Sequence, residues 1–314
     1  MRREETGGVG ACGHQPHARE KPEHDGALEE AAQHPEERVR RLGHEHGHEL
    51  GDDPSREAER DEATGFHVVR ETRSVCAIDA GSEAFDIYEE RLVEGIPERA
   101  LIASRGCGDP VSRACLQRGE VVLDLGCGGG VDAIIASRLV GAEGRVYGLD
   151  MTADMLELAR ENADTAGAEN ITYIEGLIED IPLPDESVDV VLSNCVINLS
   201  DDRPSALREA LRVLRPGGRF VVSDIVEFDT VPSVAREDLC AIVGTTNGML
   251  AAGEYARLLE DIGFKSAIIE PKTIYTREVL YEKAKRKDRL DHFTRIADDD
   301  IDSKTGSVII IATR

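Results

Sequence analysis

The chain has no tryptophan, and aromatic residues make up only 4% of its 314 positions. Its core must therefore be aliphatic, and a hydrophobic content of 40% is enough to build one. No apolar run reaches the roughly 18 residues of a membrane span. The opening "MRREETGGVG" also lacks the apolar stretch of a secretory signal. These two absences predict a cytoplasmic protein with no membrane partner. Lysine is scarce, seven of 37 basic residues, and the formal net charge is -25. A polyanion of this strength repels phosphate backbones, which excludes nucleic acid as a partner. Seven cysteines are present, but no C-x-x-C pair, so a structural zinc site is not signalled. Without an export signal they read as free thiols, ligands or catalysts rather than a disulfide framework.

Four segments follow from the pattern along the chain. Residues 1–62 hold most of the histidines and almost no apolar periodicity, and are expected to be a disordered acidic extension. Within it, His44, His46 and His48 in "GHEHGHEL" bring three imidazoles close enough to chelate a divalent metal, against the plainer reading of a solvated tail. Residues 63–118 form a cap segment ahead of a sheet. Residues 119–228 alternate apolar strands and amphipathic helices: "EVVLDL", "VDAIIASRLV", "GRVYGLD", "TADMLELARENADTAG", "ITYIEG", "VDVVLS", "RPSALREALRVL", the turn "RPGG" and "RFVVSDIV". Residues 229–314 cover the substrate and supply the last strands, ending on "GSVIIIATR". Near-continuous apolar strands alternating with helices predict an α/β, doubly wound, mostly parallel sheet with helices on both faces.

"LDLGCGGG" places Gly126, Gly128 and Gly130 directly after the first of these strands. A dinucleotide turn has the spacing G-x-G-x-x-G; the spacing here is G-x-G-x-G, with Asp124 two residues before the first glycine. That carboxylate repels a pyrophosphate and receives a cationic amino-acid group, which favours S-adenosylmethionine as cofactor. Asp150 ends the next strand and is placed to accept from ribose hydroxyls, while Met151, Leu177 and Ile178 are placed to flank an adenine. With these residues the chain resembles the class I methyltransferases. The resemblance implies a seven-stranded Rossmann-like sheet whose last strand inserts antiparallel.

Ligands of doubly wound sheets sit beyond the carboxyl ends of the strands. Asn194 and Cys195 of "SNCVINLSDD" are at such an end, facing cofactor and acceptor. Oxygen and nitrogen acceptors need a base, often histidine, and beyond His67 the only histidine is His292. Arsenic(III) carries its own lone pair and needs thiolates to hold it.

"SNCVINLSDD", "LGCGGGVDAIIASRLVGAEGRVYGLDMTADMLELAREN" and "REALRVLRPGGRFVVSDIV" resemble segments of the arsenite S-adenosylmethionine methyltransferases, over roughly residues 85–265. Upstream, "GIPERALIASRGCGDPV" resembles the segment carrying a second arsenic-binding cysteine, here Cys107. The resemblance implies Cys107 and Cys195 as catalytic arsenic ligands, an As(III) thiol complex as substrate, and a small-thiol or thioredoxin-type reductant. It also implies that Cys76 is the family's additional cysteine, pairing reversibly with Cys107; a plain loop thiol is the other reading. The family has a further cysteine where this chain has Thr245, in "VGTTNGML". Cys240 lies five residues earlier, about 140° off that face of a regular helix, so either Cys240 takes over, a small thiol completes the site, or the substrate has changed. Two alternatives stand beside arsenic methylation: methyl transfer to a small organic acceptor such as a quinone precursor, and a non-catalytic thiol-based arsenic or metal binder. The oligomeric state is not legible.

Overall fold

The structure is a computed structural model. It describes the backbone of β1 (Ala58–Arg60) and β2 (His67–Val69), then residues 87–245 and 248–314. His44, His46, His48 and Cys76 lie outside the described residues. Among the described residues no helix is long and apolar enough to cross a membrane.

Three short helices, α1 (Glu90–Val93), α2 (Glu98–Ala103) and α3 (Pro110–Ala114), precede the core. The start of α3 is written in "GDP": Pro110 needs no partner for an N–H in the first turn, and Asp109 accepts from Ser112 N at 2.9 Å. The core then runs β3 (Val121–Leu125), α4 (Val131–Val140), β4 (Arg145–Asp150), α5 (Ala153–Ala166), β5 (Ile171–Glu175) and β6 (Val188–Asn194). A 3-10 turn (Ile197–Leu199), α6 (Arg203–Val213) and β7 (Leu214–Glu227) follow. The C-terminal region adds α7 (Ser233–Val243), β8 (Leu250–Ala251), α8 (Ala252–Ile262), β9 (Lys265–Ile274), α9 (Arg277–Arg286), α10 (Leu290–Phe293), α11 (Asp298–Ile301) and β10 (Thr305–Thr313).

The sheet order is β1-β2-β9-β10-β7-β6-β3-β4-β5, with β8 beside β7. β3 to β7 are parallel, and β10 inserts antiparallel between β7 and β9, as the sequence resemblance implied. The seven strands from β5 to β9 are the expected sheet; β8 and the β1–β2 pair extend it. The boundary drawn at residue 62 thus divides a strand pair, because "AER" carries no apolar alternation to announce β1. "RPGG" is not a separate turn either: its residues continue into β7, with a register shift against β6 between Val188 and Val190.

Two aliphatic layers sandwich the sheet. On one face Leu207, Ala210 and Tyr255 pack on Leu123, Phe220 and Ile310; on the other Ile134 and Ile135 of α4 pack on Val122, Val190 and Ile309. Each such large side chain contributes about 1.5–3 kcal/mol when fully buried. A third cluster, built from α7, α9, α10 and the end of β7, includes Leu239, Cys240, Val243, Tyr275 and Leu280, and the sulfur residues Cys107 and Cys195 pack against it. That cluster closes the carboxyl end of the sheet.

Candidate active site

The turn after β3 bends sharply at Gly126, whose φ of +66° is left-handed, and a Cβ there would run into the Val196 side chain. Only glycine allows this approach of the cofactor turn to the segment after β6. Asp124 sits beneath the turn at 2% exposure, and its Oδ2 has no hydrogen-bond partner. Burial, then the neighbouring Asp132 and Asp150 charges, push its carboxyl well above the usual range. A cation placed there relieves both the desolvation and the repulsion.

Asp150 closes β4 and braces the turn: its Oδ2 accepts from Gly128 N at 2.9 Å and its Oδ1 from Thr152 N at 2.9 Å. A carboxylate accepts more than one hydrogen bond per oxygen, so these contacts leave capacity for further donors. Thr152 caps α5 by position only; its side chain accepts no cap hydrogen bond. Met151 is 70% exposed and Leu177 50%, two large apolar side chains beyond the paired ends of β4 and β5, while Ile178 is buried beside them. Exposed apolar groups flanking a glycine turn suit a flat, partly apolar ligand.

At the end of β6, the sulfurs of Cys107 and Cys195 are joined, with Cα atoms 6.1 Å apart across 88 residues of sequence. Cys195 holds a left-handed φ of +61°, unusual for a side-chain-bearing residue, and its N–H donates to Ser223 O at 2.8 Å. Ser223 Oγ lies 3.3 Å from Cys107 Sγ, so one residue of β7 touches both cysteines. Asn194, expected at the cofactor, spends its carboxamide on the thiol segment. Its Oδ1 accepts from Cys107 N at 2.9 Å, and its Nδ2 donates to Gly108 O at 2.7 Å. Glycines flank the cysteine because a Cβ at Gly106 would stand 2.5 Å from Asn194 Nδ2, and one at Gly108 would meet Ser223 Oγ. Asn198, the second amide of "NCVIN", is fully enclosed and donates to Asp224 Oδ1 and Ile225 O, each at 2.7 Å. It ties the segment after β6 to β7.

The remaining thiols are dispersed. Cys240 and Thr245 share the end of α7: Gly244 takes a left-handed φ of +93°, and Thr245 N donates to Cys240 O at 3.1 Å. The helix stops at Val243, so the helical-face arithmetic of the sequence does not extend to Thr245. Thr245 Oγ1 is buried without a hydrogen-bond partner. Cys127 is buried in the glycine turn, where desolvation pushes its thiol well up. Among the described residues no group of three His, Cys, Asp or Glu side chains is placed to hold a metal ion. Ser223, Asp132 and Tyr88 also belong to the site; the polar pair Ser223–Asp224 inside the apolar strand "FVVSDIV" is the one sequence signal for Ser223.

The methyltransferase domain family matches residues 116–278. A solved arsenic(III) S-adenosylmethionine methyltransferase from Chlamydomonas reinhardtii is 31% identical, with a TM-score of 0.52 and 71% of each chain covered. The chain belongs to the arsenic(III) S-adenosylmethionine methyltransferase family. An arsenite methyltransferase of Halobacterium salinarum is 41% identical over 167 residues, 53% of this chain and 43% of that protein. One from Aquipseudomonas alcaligenes is 38% identical over 187 residues, 57% of this chain and 54% of that protein. The chain thus spans about half the length of these curated relatives.

Proposed function

We propose that this protein methylates trivalent arsenic held by Cys107 and Cys195, with S-adenosylmethionine as methyl donor. The observation that carries the reading is the meeting of these two sulfurs beside the glycine turn. The residues at the turn fit the donor: Asp124 offers a buried, unpartnered oxygen to a cation, Asp150 retains acceptor capacity, and Met151 and Leu177 flank a ring. When bound, S-adenosylmethionine supplies a methyl group on a positively charged sulfur.

Once reduced, Cys107 and Cys195 present two soft sulfur ligands, which match a soft arsenic centre. With the donor bound, the arsenic lone pair would take the methyl group while the S–CH3 bonding electrons would stay on sulfur, leaving a neutral thioether. No proton is removed, so the site needs no general base. Much of the acceleration comes from alignment: Asn194 and Ser223 hold the cysteine backbones while Gly126 brings the cofactor turn against Val196. Arsenic gains two units of oxidation state in the transfer, and a small thiol or thioredoxin-type reductant returns the electrons. With threonine at position 245, a small thiol supplies the third sulfur. The work is done in the cytoplasm.

Arsenite titrated into the reduced chain, with bound arsenic measured after gel filtration, tests the ligand pair. One arsenic per chain is expected for the wild type and none for Cys107→Ser or Cys195→Ser. Full retention by both variants would remove these residues from the arsenic site.

A further inference from the structure

The amide of Asn194 holds the backbone on both sides of Cys107 only in one orientation. Its nitrogen must face the Gly108 carbonyl and its oxygen the Cys107 N–H. Turned end for end, oxygen would face oxygen and N–H would face N–H. Two further side chains enforce the correct end. Asp132, the second residue of α4, places Oδ2 3.1 Å from Asn194 Nδ2, and Tyr88 OH lies 3.2 Å from the same nitrogen. The Tyr88 hydroxyl also holds the Asp132 carboxyl down, so the three groups act on one another.

A carboxylate here is costly to the fold. Asp132 is 7% exposed, its Oδ1 has no hydrogen-bond partner, and Asp109 and Asp124 both face it with like charge. Burial pushes its carboxyl up to about 7, while Asn194 and Tyr88 hold it down. Ionised, Asp132 only accepts and locks the amide; protonated, it gains a donor and tolerates the turned amide. A buried carboxyl with an unpartnered oxygen at such a position points to function more than to packing.

We propose that Asp132 and Tyr88 are positioning residues that fix the Asn194 amide, and through it the presentation of the Cys107 thiol, tying the thiol segment to the helix that leaves the glycine turn. The proposal rests on the reading of Cys107 as an arsenic ligand, and its test separates the two.

The full chain, reduced with a phosphine, is labelled with iodoacetamide between pH 6 and 9, and labelling of Cys107 is followed by peptide mass spectrometry. Wild type, Asp132→Asn and Tyr88→Phe are compared, with S-adenosylhomocysteine affinity and As(III) methylation measured alongside. Asp132→Asn is expected to change the Cys107 labelling rate by about tenfold and to lower kcat/KM for As(III) by about as much. S-adenosylhomocysteine affinity should stay within about twofold, because the change is in positioning and not in cofactor binding. Tyr88→Phe keeps the ring and loses only the hydroxyl; it should shift Cys107 labelling in the same direction by less, with its pH dependence displaced upward as Asp132 loses a donor. Wild-type labelling of Cys107 in both variants overturns the proposal, and so does an equal loss of S-adenosylhomocysteine affinity. If the wild type methylates no arsenic while Cys107 labelling still responds to Asp132→Asn, the arsenic reading falls and the positioning role stands.

Discussion

Cys107 and Cys195 are 88 residues apart in sequence and 6.1 Å apart between Cα atoms, one ahead of α3 and the other just past the end of β6. Strand β7 makes that meeting possible. It runs beside β6 and places Ser223 where its carbonyl takes the Cys195 N–H and its hydroxyl reaches Cys107 Sγ. Ser223→Ala removes only the hydroxyl contact. It is expected to weaken As(III) binding about three- to tenfold, on the order of 1 kcal/mol for one lost hydrogen bond, with cofactor affinity unchanged. Isothermal titration of each ligand separates the two.

The two neighbouring glycines of the cofactor turn should respond differently to alanine. At Gly126 the left-handed φ and the Val196 contact both oppose a Cβ, so Gly126→Ala is expected to cost about 2–4 kcal/mol of stability and the cofactor affinity. Gly128 has φ +50° but open space around it, so Gly128→Ala should cost about 1 kcal/mol. Denaturant unfolding of both variants measures the difference. Equal costs would mean that Val196 moves aside.

Threonine 245 invites a gain of function. Its Oγ1 is buried without a hydrogen-bond partner, and its N–H bonds to the Cys240 carbonyl. Thr245→Cys puts a soft ligand where the family carries one. It is expected to tighten As(III) binding at least about tenfold, or 1.4 kcal/mol, and to reduce the dependence of turnover on added small thiol. Titration of arsenite with and without that thiol gives both quantities.

Stability should fall as pH rises from about 4 to 7. Burial raises the Asp224 carboxyl from its ordinary 3.8 to about 7, although Arg203 and the Asn198 amide oppose this. Between those values the folded protein keeps a proton that the unfolded chain has released, so each step up in pH favours unfolding until about pH 7, above which the effect levels off. At about 1.4 kcal/mol per unit, the full effect is on the order of 4 kcal/mol. Asp224→Asn removes this component, so the variant should exceed wild type in stability at pH 8 and lose that advantage toward pH 4. Asp132 titrates in the same window and keeps part of the slope. Urea unfolding at pH 5 and pH 8 checks the sign.

The parallel core was legible because "VVLDL", "VDVVLS" and "FVVSDIV" are strands buried on both faces, and burial on both faces leaves a near-continuous apolar run. Helix α4 matched "VDAIIASRLV" end to end, with Gly130 and Gly141 as its punctuation. The charged run after residue 276 divides into α9 and α10 around Lys287–Arg289, a break that an evenly polar sequence does not announce. At the site, Cys195 and Asn194 are legible from the end of a strand and Cys107 from resemblance, while Ser223, Asp132 and Tyr88 are not. The strand-end position of Asn194 points to the cofactor, while its side-chain hydrogen bonds include Cys107 N and Gly108 O, 87 and 86 residues away. Such a contact is a product of the fold, and local pattern carries no trace of it. Asp132 was hidden for a related reason: one carboxylate in the first turn of a helix normally reads as a macrodipole partner.

On the proposed function, two cysteines and a glycine turn together move a methyl group onto arsenic. Transfer from methyl-labelled S-adenosylmethionine to arsenite, with a small thiol present, tests it most directly in wild type, Cys107→Ser, Cys195→Ser and Cys240→Ser. Labelled methylarsenic is expected from the wild type and from Cys240→Ser, with at least a hundredfold loss in the other two, about 2.7 kcal/mol or more. Wild-type protein that binds S-adenosylmethionine and labels no arsenic would remove arsenic as the acceptor and leave a small organic molecule in its place.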